Sequence, residues 1–327
     1  MNLIDKIYCG DSRTLIKDVP SESVDLVICS PAYFNQREYS SKLEMGQEST
    51  IEEYIASLVD FFKSCVRITK NNGSIIFNLG DKYIHENLLL VPYQFAIEAT
   101  KQCDVNLINN ITWAKSNPTP RQYTRRMVQA TESFFHFVKK GFKYKYYRER
   151  LALPAKERSP NPNSKIGQSY YELIEKSTLS PERKVTAYKE LQTAIDKVKS
   201  GTLASIRMKI TGMHAPAFGG QEGGRASQMR NKGYTIIEVP GNSLVKDWFV
   251  TPVESIRGIG HLAVYPQSII EKFITLVTNE GDLVCDPFMG SGTTACAAKK
   301  LNRHYLGFEL SNEYVDIAEK RLQEKFR

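Results

Sequence analysis

No apolar run in this 327-residue chain approaches the ~20 residues that a bilayer-crossing helix requires, and no charged-then-apolar leader opens it. A soluble, cytoplasmic protein with no membrane partner is therefore expected. Cysteine is sparse. The six residues, Cys9, Cys29, Cys65, Cys103, Cys285 and Cys296, include no Cys-x-x-Cys pair and no Cys/His ligand spacing, which predicts reduced thiols and no bound metal. Cys29, Cys285 and Cys296 fall within strand or helix-packing patterns and read as small buried hydrophobes. There is no internal repeat and no low-complexity tract. The glycine-rich turn near the C-terminus lacks a following Gly-Lys-Ser/Thr, which disfavours a phosphate-binding P-loop.

What the chain does contain is two motifs at the ends of strands. Val24-Asp25-Leu26-Val27-Ile28-Cys29 is a mostly apolar, partly β-branched run typical of a buried parallel strand, and it leads directly into Ser30-Pro31-Ala32-Tyr33. Near the other end, Gly281-Asp282-Leu283-Val284-Cys285 reads as a short apolar strand after a turn and runs into Asp286-Pro287-Phe288-Met289-Gly290-Ser291-Gly292-Thr293-Thr294 and then a small-residue helix. Glycine permits the sharp bend and the close approach of a ligand to the main chain, and the N–H groups at a helix start bind anionic groups. Glu309 ends the next strand, seventeen residues after Gly292, where an acid is placed to take ribose hydroxyls. The Gly-x-Gly turn alone is shared with nicotinamide dehydrogenases. In open parallel sheets, however, ligands bind at the carboxyl ends of strands, so both motifs point to one edge.

Taken together, these motifs resemble those of the amino-methylating DNA methyltransferases that use S-adenosylmethionine, in the permuted β-type order with the catalytic motif before the cofactor motif. That family's catalytic tetrapeptide is Ser/Asp/Asn-Pro-Pro-Tyr/Phe, and its cofactor motif is close to Asp-Pro-Phe-x-Gly-Ser-Gly-Thr-Thr. The second is matched fully and the first at three of four positions, Ala32 being the departure. Further segments fit: Lys6 to Asp11, Gly73 to Asp81, Asn110 to Asn117, and His261-Leu262-Ala263-Val264-Tyr265-Pro266, which resembles His-Pro-Ala-x-Phe-Pro with Leu262 and Tyr265 as departures. The resemblance implies an α/β fold: a Rossmann-like, doubly wound sheet, mostly parallel, with permuted motif order and an inserted target-recognition region. It implies that Asp286 and the amides of Gly290, Ser291, Gly292, Thr293 and Thr294 hold the methionine end of the donor. Phe288 and Pro266 would line its pocket, Ser30 would border it, Asp11 would reach the adenine amine and Glu309 the ribose.

The exocyclic amine of cytosine or adenine is a poor nucleophile because its lone pair is delocalised into the ring. An enzyme must therefore orient it with acceptors, which the Ser30 hydroxyl and the Pro31 carbonyl supply, while Tyr33 stacks on the base. Transfer from a sulfonium needs no covalent enzyme intermediate. Cytosine C5 chemistry is disfavoured because it needs a cysteine nucleophile, and none of the six follows a proline as that family's does. Within the resembling family, serine in the tetrapeptide accompanies cytosine N4 and aspartate accompanies adenine N6, so cytosine is favoured and adenine is the alternative. A DNA-binding protein disabled at Ala32 and an RNA or small-molecule methyltransferase are the further alternatives.

The chain carries net charge +8 with a pI near 9.0, and the excess is local. From Lys115 to Arg158 there are twelve basic residues against three acids. Aromatics interleave in Phe142-Lys143-Tyr144-Lys145-Tyr146-Tyr147-Arg148, which suits phosphate and stacking contacts with duplex DNA. Arg121, Gln122, Arg125 and Arg126 are expected near the pocket. The expected organisation is a catalytic half at 1–150, a target-recognition insertion at 151–245 and a cofactor-binding half at 246–327. The insertion holds a helix capped by Ser180-Pro181 with an apolar stripe of Val185, Tyr188, Leu191, Ile195 and Val198, followed by a mobile basic loop at 211–233. Oligomeric state stays open at this level, as does partnership with a cognate restriction endonuclease.

Overall fold

The structure, a computed structural model, describes residues 3–35, 45–118, 125–151, 161–214, 224–239, 245–254 and 265–325. In chain order the strands are β1 (Lys6–Cys9), β2 (Val24–Cys29), β3 (Thr69–Leu79), β4 (Tyr83–Ile84), β5 (Asn87–Leu88), β6 (Val105–Lys115), β7 (Thr131–Lys139), β8 (Ser205–Ile210), β9 (Tyr234–Val239), β10 (Trp248–Thr251), β11 (Leu283–Asp286) and β12 (His304–Glu309). The helices are α1 (Ser12–Leu15), α2 (Ile51–Ile68), α3 (Val91–Gln102), α4 (Gln168–Glu175), α5 (Pro181–Lys199), α6 (Arg225–Lys232), α7 (Gln267–Val277), α8 (Thr293–Lys300) and α9 (Asn312–Lys325). Two compact units result, Met1–Leu151 joined with Lys246–Arg327, and Ala152–Val245.

The first unit is built on an eight-stranded sheet of order β1-β12-β11-β2-β3-β7-β6-β10. Every neighbouring pair is parallel except the two that involve β7, which runs against β3 and β6. Strand residues alternate between two cores, as a pleat with period two dictates. Val27, Cys29, Ile75, Phe77, Phe135 and Phe137 pack with α2 and α3, whereas Leu26, Ile28, Ile76 and Phe134 pack with α7 and α8. That is a doubly wound, three-layer α/β architecture. Helix α2 illustrates the local logic. Thr50 and Glu53 form a reciprocal capping box, and Tyr54, Ile55, Leu58, Phe61, Phe62 and Cys65 then recur at helical spacing on its buried face. Among the described residues no helix is long and apolar enough to cross a membrane.

The interleaved basic and aromatic segment lies elsewhere than expected. Asp25, the second residue of β2, has a side chain 1% exposed, and it is bonded to Lys145 Nζ at 2.8 Å, Lys70 Nζ at 2.7 Å and the Leu283 N–H at 3.0 Å. Lys145 also reaches Asp282 at 2.6 Å, just before β11. Tyr144 and Tyr146 pack on His136, and Arg150 donates to the Thr278 carbonyl at 2.7 Å. This segment therefore ties the amino ends of β2 and β11 together, at the edge opposite the strand-end motifs. A carboxylate buried at Asp25 needs counter-charges, and Lys145 of this segment and Lys70 of β3 supply them.

The second unit pairs β8 with β9 antiparallel and packs them on its helices around Ile174, Ala187, Leu191, Ala194, Ile195, Ile206, Met208 and Tyr234. Ser180 caps α5 as expected, but the buried stripe runs through Ala187, Leu191, Ala194 and Ile195, while Val185 is 68% exposed. Part of the expected basic loop is ordered as α6, closed by Gly233 in the left-handed region. Gly219, Gly220 and Gly223 lie outside the described residues.

Burial opposes the charge on Asp25, but Lys145, Lys70 and the Leu283 amide outweigh it and hold the carboxyl below its usual range. Replacing Lys145 by Met should therefore destabilise the protein by about 3 kcal/mol near neutral pH. The deficit should shrink as pH falls through the lowered Asp25 pKa, because a protonated carboxyl no longer needs the lysine. Urea denaturation of both proteins across that range checks the expectation.

Candidate active site

The carboxyl ends of the parallel strands, together with the start of the reversed β7, form one continuous edge. From one side to the other it carries Asp11 after β1, Glu309 on β12, Asp286 on β11, Ser30 after β2, Gly80 after β3, Glu132 on β7 and Lys115 on β6. The two sequence motifs are neighbours because β11 pairs directly with β2, Val284 opposite Leu26 and Cys285 opposite Val27.

On the β2 side, Ser30 Oγ donates to the Tyr33 hydroxyl at 3.1 Å. That hydroxyl lies 2.9 Å from both Asn78 Oδ1 and Glu132 Oε2, and Lys115 pairs with the other Glu132 oxygen. A phenol has one proton, so Tyr33 accepts from Ser30 and donates to one of the two oxygens. Burial, and then the nearby Glu132 charge, push the Tyr33 phenol well above its usual range, keeping it protonated. Gly80 makes room for the ring, since a Cβ there would lie 2.7 Å from Tyr33 Cε2. Where the tetrapeptide has Ala32 in place of a second proline, the Ala32 carbonyl accepts from the Tyr54 hydroxyl at 2.9 Å. The Asn35 amide bonds the Gly46 carbonyl at 2.7 Å just beyond. Tertiary contacts thus pin the turn that a proline would have stiffened.

On the β11 side, the turn rests on glycines in the left-handed region, Gly290 at φ 54° and Gly292 at φ 83°. A Cβ on Gly292 would also lie 2.7 Å from that of Ala318 on α9. Glu309 accepts from the Gly290 amide at 2.8 Å and the Ser311 amide at 3.0 Å, one per carboxylate oxygen. The Gly290 amide, expected to face the donor, is therefore engaged by Glu309. Ser291 and Thr293 are buried and receive Arg321 of α9, at 3.1 Å and 3.4 Å to their hydroxyls. Phe288 meets Phe61 edge-on at 5.1 Å, and Pro266 is the N-cap of α7. Asp11 caps α1 and pairs with Arg13 at 2.6 Å; burial opposes its charge, but the Arg13 contacts prevail and hold its carboxyl below the usual range.

Asp286 is placed differently from the expectation. It is fully buried, with Oδ2 accepting from Thr294 Oγ1 at 2.5 Å and the Tyr265 hydroxyl at 2.7 Å, and Oδ1 from the Phe288 amide at 3.0 Å. In this arrangement it braces the glycine turn. The Tyr265 hydroxyl, a departure from the phenylalanine of the resembling motif, is one of its two hydroxyl partners. Sequence reasoning missed Asn78, Glu132 and Arg321 as site residues. Glu132 was one acid in a basic run, and only the antiparallel start of β7 brings it to Tyr33. Arg125 and Arg126 lie just before β7, while Arg121, Gln122 and residues 261–264 fall outside the described residues. Among the described residues no cluster of three or more His, Cys, Asp or Glu could hold a metal ion.

Desolvation, only partly offset by these hydrogen bonds, pushes the Asp286 pKa up to about 6. An acid whose pKa is raised on folding costs stability as it ionises, so the penalty is absent below the unfolded value near 4 and complete above the folded one. At about 1.4 kcal/mol per unit, charging Asp286 costs about 3 kcal/mol across that window. The stability difference between Asp286→Asn and the parent should therefore drift in favour of the Asn variant between about pH 4 and pH 6. Denaturant melts of both across that range measure it, and parallel curves would contradict the burial argument.

A family model described as DNA methylase, of the N6/N4 methyltransferase class, matches residues 24–320. The type II methyltransferase M.SmaI of Serratia marcescens is 23% identical, over 97% of this chain and 90% of its own length. Among solved structures, the PvuII DNA methyltransferase (cytosine-N4-specific) aligns with TM-score 0.62 at 18% identity, covering 97% of this chain and 86% of that one. M1.HpyAVI in complex with SAM aligns with TM-score 0.52 at 20% identity, covering 97% and 98%. The strand-end motifs and the sheet that joins them, together with a family match spanning nearly the whole chain, place this protein in the N6/N4 family of DNA methylases.

Proposed function

We propose that this enzyme transfers a methyl group from S-adenosyl-L-methionine to the exocyclic N4 amine of a cytosine turned out of duplex DNA at a specific short site. The observation that carries the choice of base is Ser30, a neutral acceptor in the tetrapeptide where an aspartate would accompany adenine N6. The fold likeness to a cytosine-N4-specific enzyme points the same way.

The donor site fits its ligand by complementary chemistry. S-adenosyl-L-methionine presents an ammonium, a ribose diol and an adenine amine, all hydrogen-bond donors, and Asp11 and Glu309 line up acceptors along the β1–β12 part of the edge. The Glu309 carboxylate is fixed by the Gly290 and Ser311 amides and remains an acceptor for a hydroxyl. Phe288, beside Phe61, offers an apolar wall. When bound, the donor supplies a methyl on a sulfonium, open to direct in-line attack.

On the other side, the chain's own residues prepare the amine. Because the Ser30 proton is given to Tyr33, the Ser30 oxygen keeps its lone pairs for an incoming N–H. Tyr33 is fixed in that receiving role by Asn78 and Glu132, and Lys115 holds Glu132 in place. With the Pro31 carbonyl as second acceptor, the amine is oriented toward the donor side. Turning the base out costs a few kcal/mol, roughly, which protein contacts to the duplex must offset. We assign the Ala152–Val245 unit to target recognition, with a cognate restriction endonuclease as a compatible partner.

Incubation with unmodified genomic DNA and S-adenosyl-L-methionine, followed by nucleoside mass spectrometry and sequencing of modified positions, should yield N4-methylcytosine at one motif. N6-methyladenine would overturn the base assignment. Ser30→Ala should lower kcat by roughly a hundredfold or more through lost orientation while donor binding persists. Tyr33→Phe, which leaves the Ser30 proton without its acceptor, should lower kcat about tenfold. Calorimetric titration with the donor separates these losses from misfolding.

A further inference from the structure

An enzyme that turns a base out of a duplex leaves a gap in the stack, and apolar side chains pushed between base steps are one way proteins hold such distortions open. Met127 is 92% exposed and its neighbour Val128 is 42% exposed. Lone exposed apolar side chains are common on protein surfaces. This one differs in where it stands and how it is held.

Its segment leads into β7, whose second residue, Glu132, contacts the Tyr33 hydroxyl at 2.9 Å, so Met127 is rooted five residues from the catalytic network. The root is fixed on both sides of the tip. The Arg126 guanidinium lies 3.5 Å from the centroid of the Tyr83 ring, and Gln129 donates to the Asp81 carbonyl at 3.2 Å. The Lys115 amide then bonds the Ala130 carbonyl at 2.7 Å. Tyr83 and Asp81 follow directly from β3, on the same strand-end edge as Ser30. An anchored base with an unbranched, adaptable side chain at its tip suits insertion between stacked bases. Arg125, exposed beside it, is placed to meet a phosphate.

We infer that Met127 is a wedge that enters the duplex at the target step and occupies the space the turned-out base leaves, with Val128 against the neighbouring base. The inference rests on the proposed methylation of duplex DNA and deepens it. A wedge matters in proportion to the cost of opening the pair, which sets its signature apart from that of a residue that merely supports the fold.

The test uses the full chain and duplexes bearing the site mapped by methylation sequencing, with the target either correctly paired or mispaired so that opening is already cheap. Met127→Ala should lower kcat/KM about tenfold on the paired duplex but by less than about threefold on the mispaired one. Met127→Leu should stay near the parent on both, and donor affinity and melting temperature should not move in either variant. Equal deficits on the two duplexes, or no deficit on the paired one, would overturn the wedge while leaving methyl transfer intact. A parent protein that methylates neither duplex would instead overturn the proposed function, and the wedge with it.

Discussion

The side-by-side parallel pairing of β2 with β11 is the constraint from which the site follows. It aligns the carboxyl end of a strand carrying a serine-proline turn with that of a strand carrying a glycine turn. One strand spacing separates the two turns, so they stand side by side on the same edge of the sheet, where the proposed methyl transfer needs both an acceptor for an amine and a bend that a nucleotide-like donor can approach. The flanking strands extend the same edge, with acids toward β1 and β12 and the Tyr33 network toward β3, β7 and β6.

The protein manages its charge by position. At the amino edge, Asp25 and Asp282 are neutralised by Lys145, which looks, in sequence, like a phosphate ligand, with Lys70 of β3 as a second partner of Asp25. At the carboxyl edge, Glu309 and Asp286 are held by backbone amides and hydroxyls, groups that stabilise a carboxylate without cancelling its charge. That leaves an acidic environment beside the place expected for a cationic donor.

Much of this was legible in the residues. The buried character of β2, the strand-turn-helix at Asp286 and the mostly parallel doubly wound sheet all follow from short-range patterns of burial and turn chemistry. So does the capped helix at Ser180. Other features depend on groups far apart in sequence. The apolar stripe of α5 was started two residues too early because Val185 and Ala187 both satisfy helical spacing, and only packing selects the alanine. Within the Phe142–Arg148 segment Lys145 was misread, because a lysine that answers a buried aspartate is indistinguishable, in sequence, from one that faces solvent. Ala32 was a departure from the family tetrapeptide, and the Tyr54 hydroxyl that pins its turn comes from a helix 22 residues on. Tyr265 looked like a departure until its hydroxyl was found on Asp286.

The permuted chain order has a kinetic consequence. The bond from the Leu283 amide to the Asp25 carboxylate joins positions 258 residues apart, and that from the Tyr305 amide to Asp5 joins positions 300 apart. Closing such long loops is entropically slow, and the first unit is interrupted by another compact body between its halves. During synthesis β2 emerges long before β11, so one edge of it and the face formed by Leu26 and Ile28 must wait for β11 and for helices α7 and α8. The amino-terminal half thus travels as an incomplete sheet with an open flank, the state in which a chain is most prone to pair with the wrong strand. Chaperone dependence and yield on expression should accordingly be governed by the last strands made.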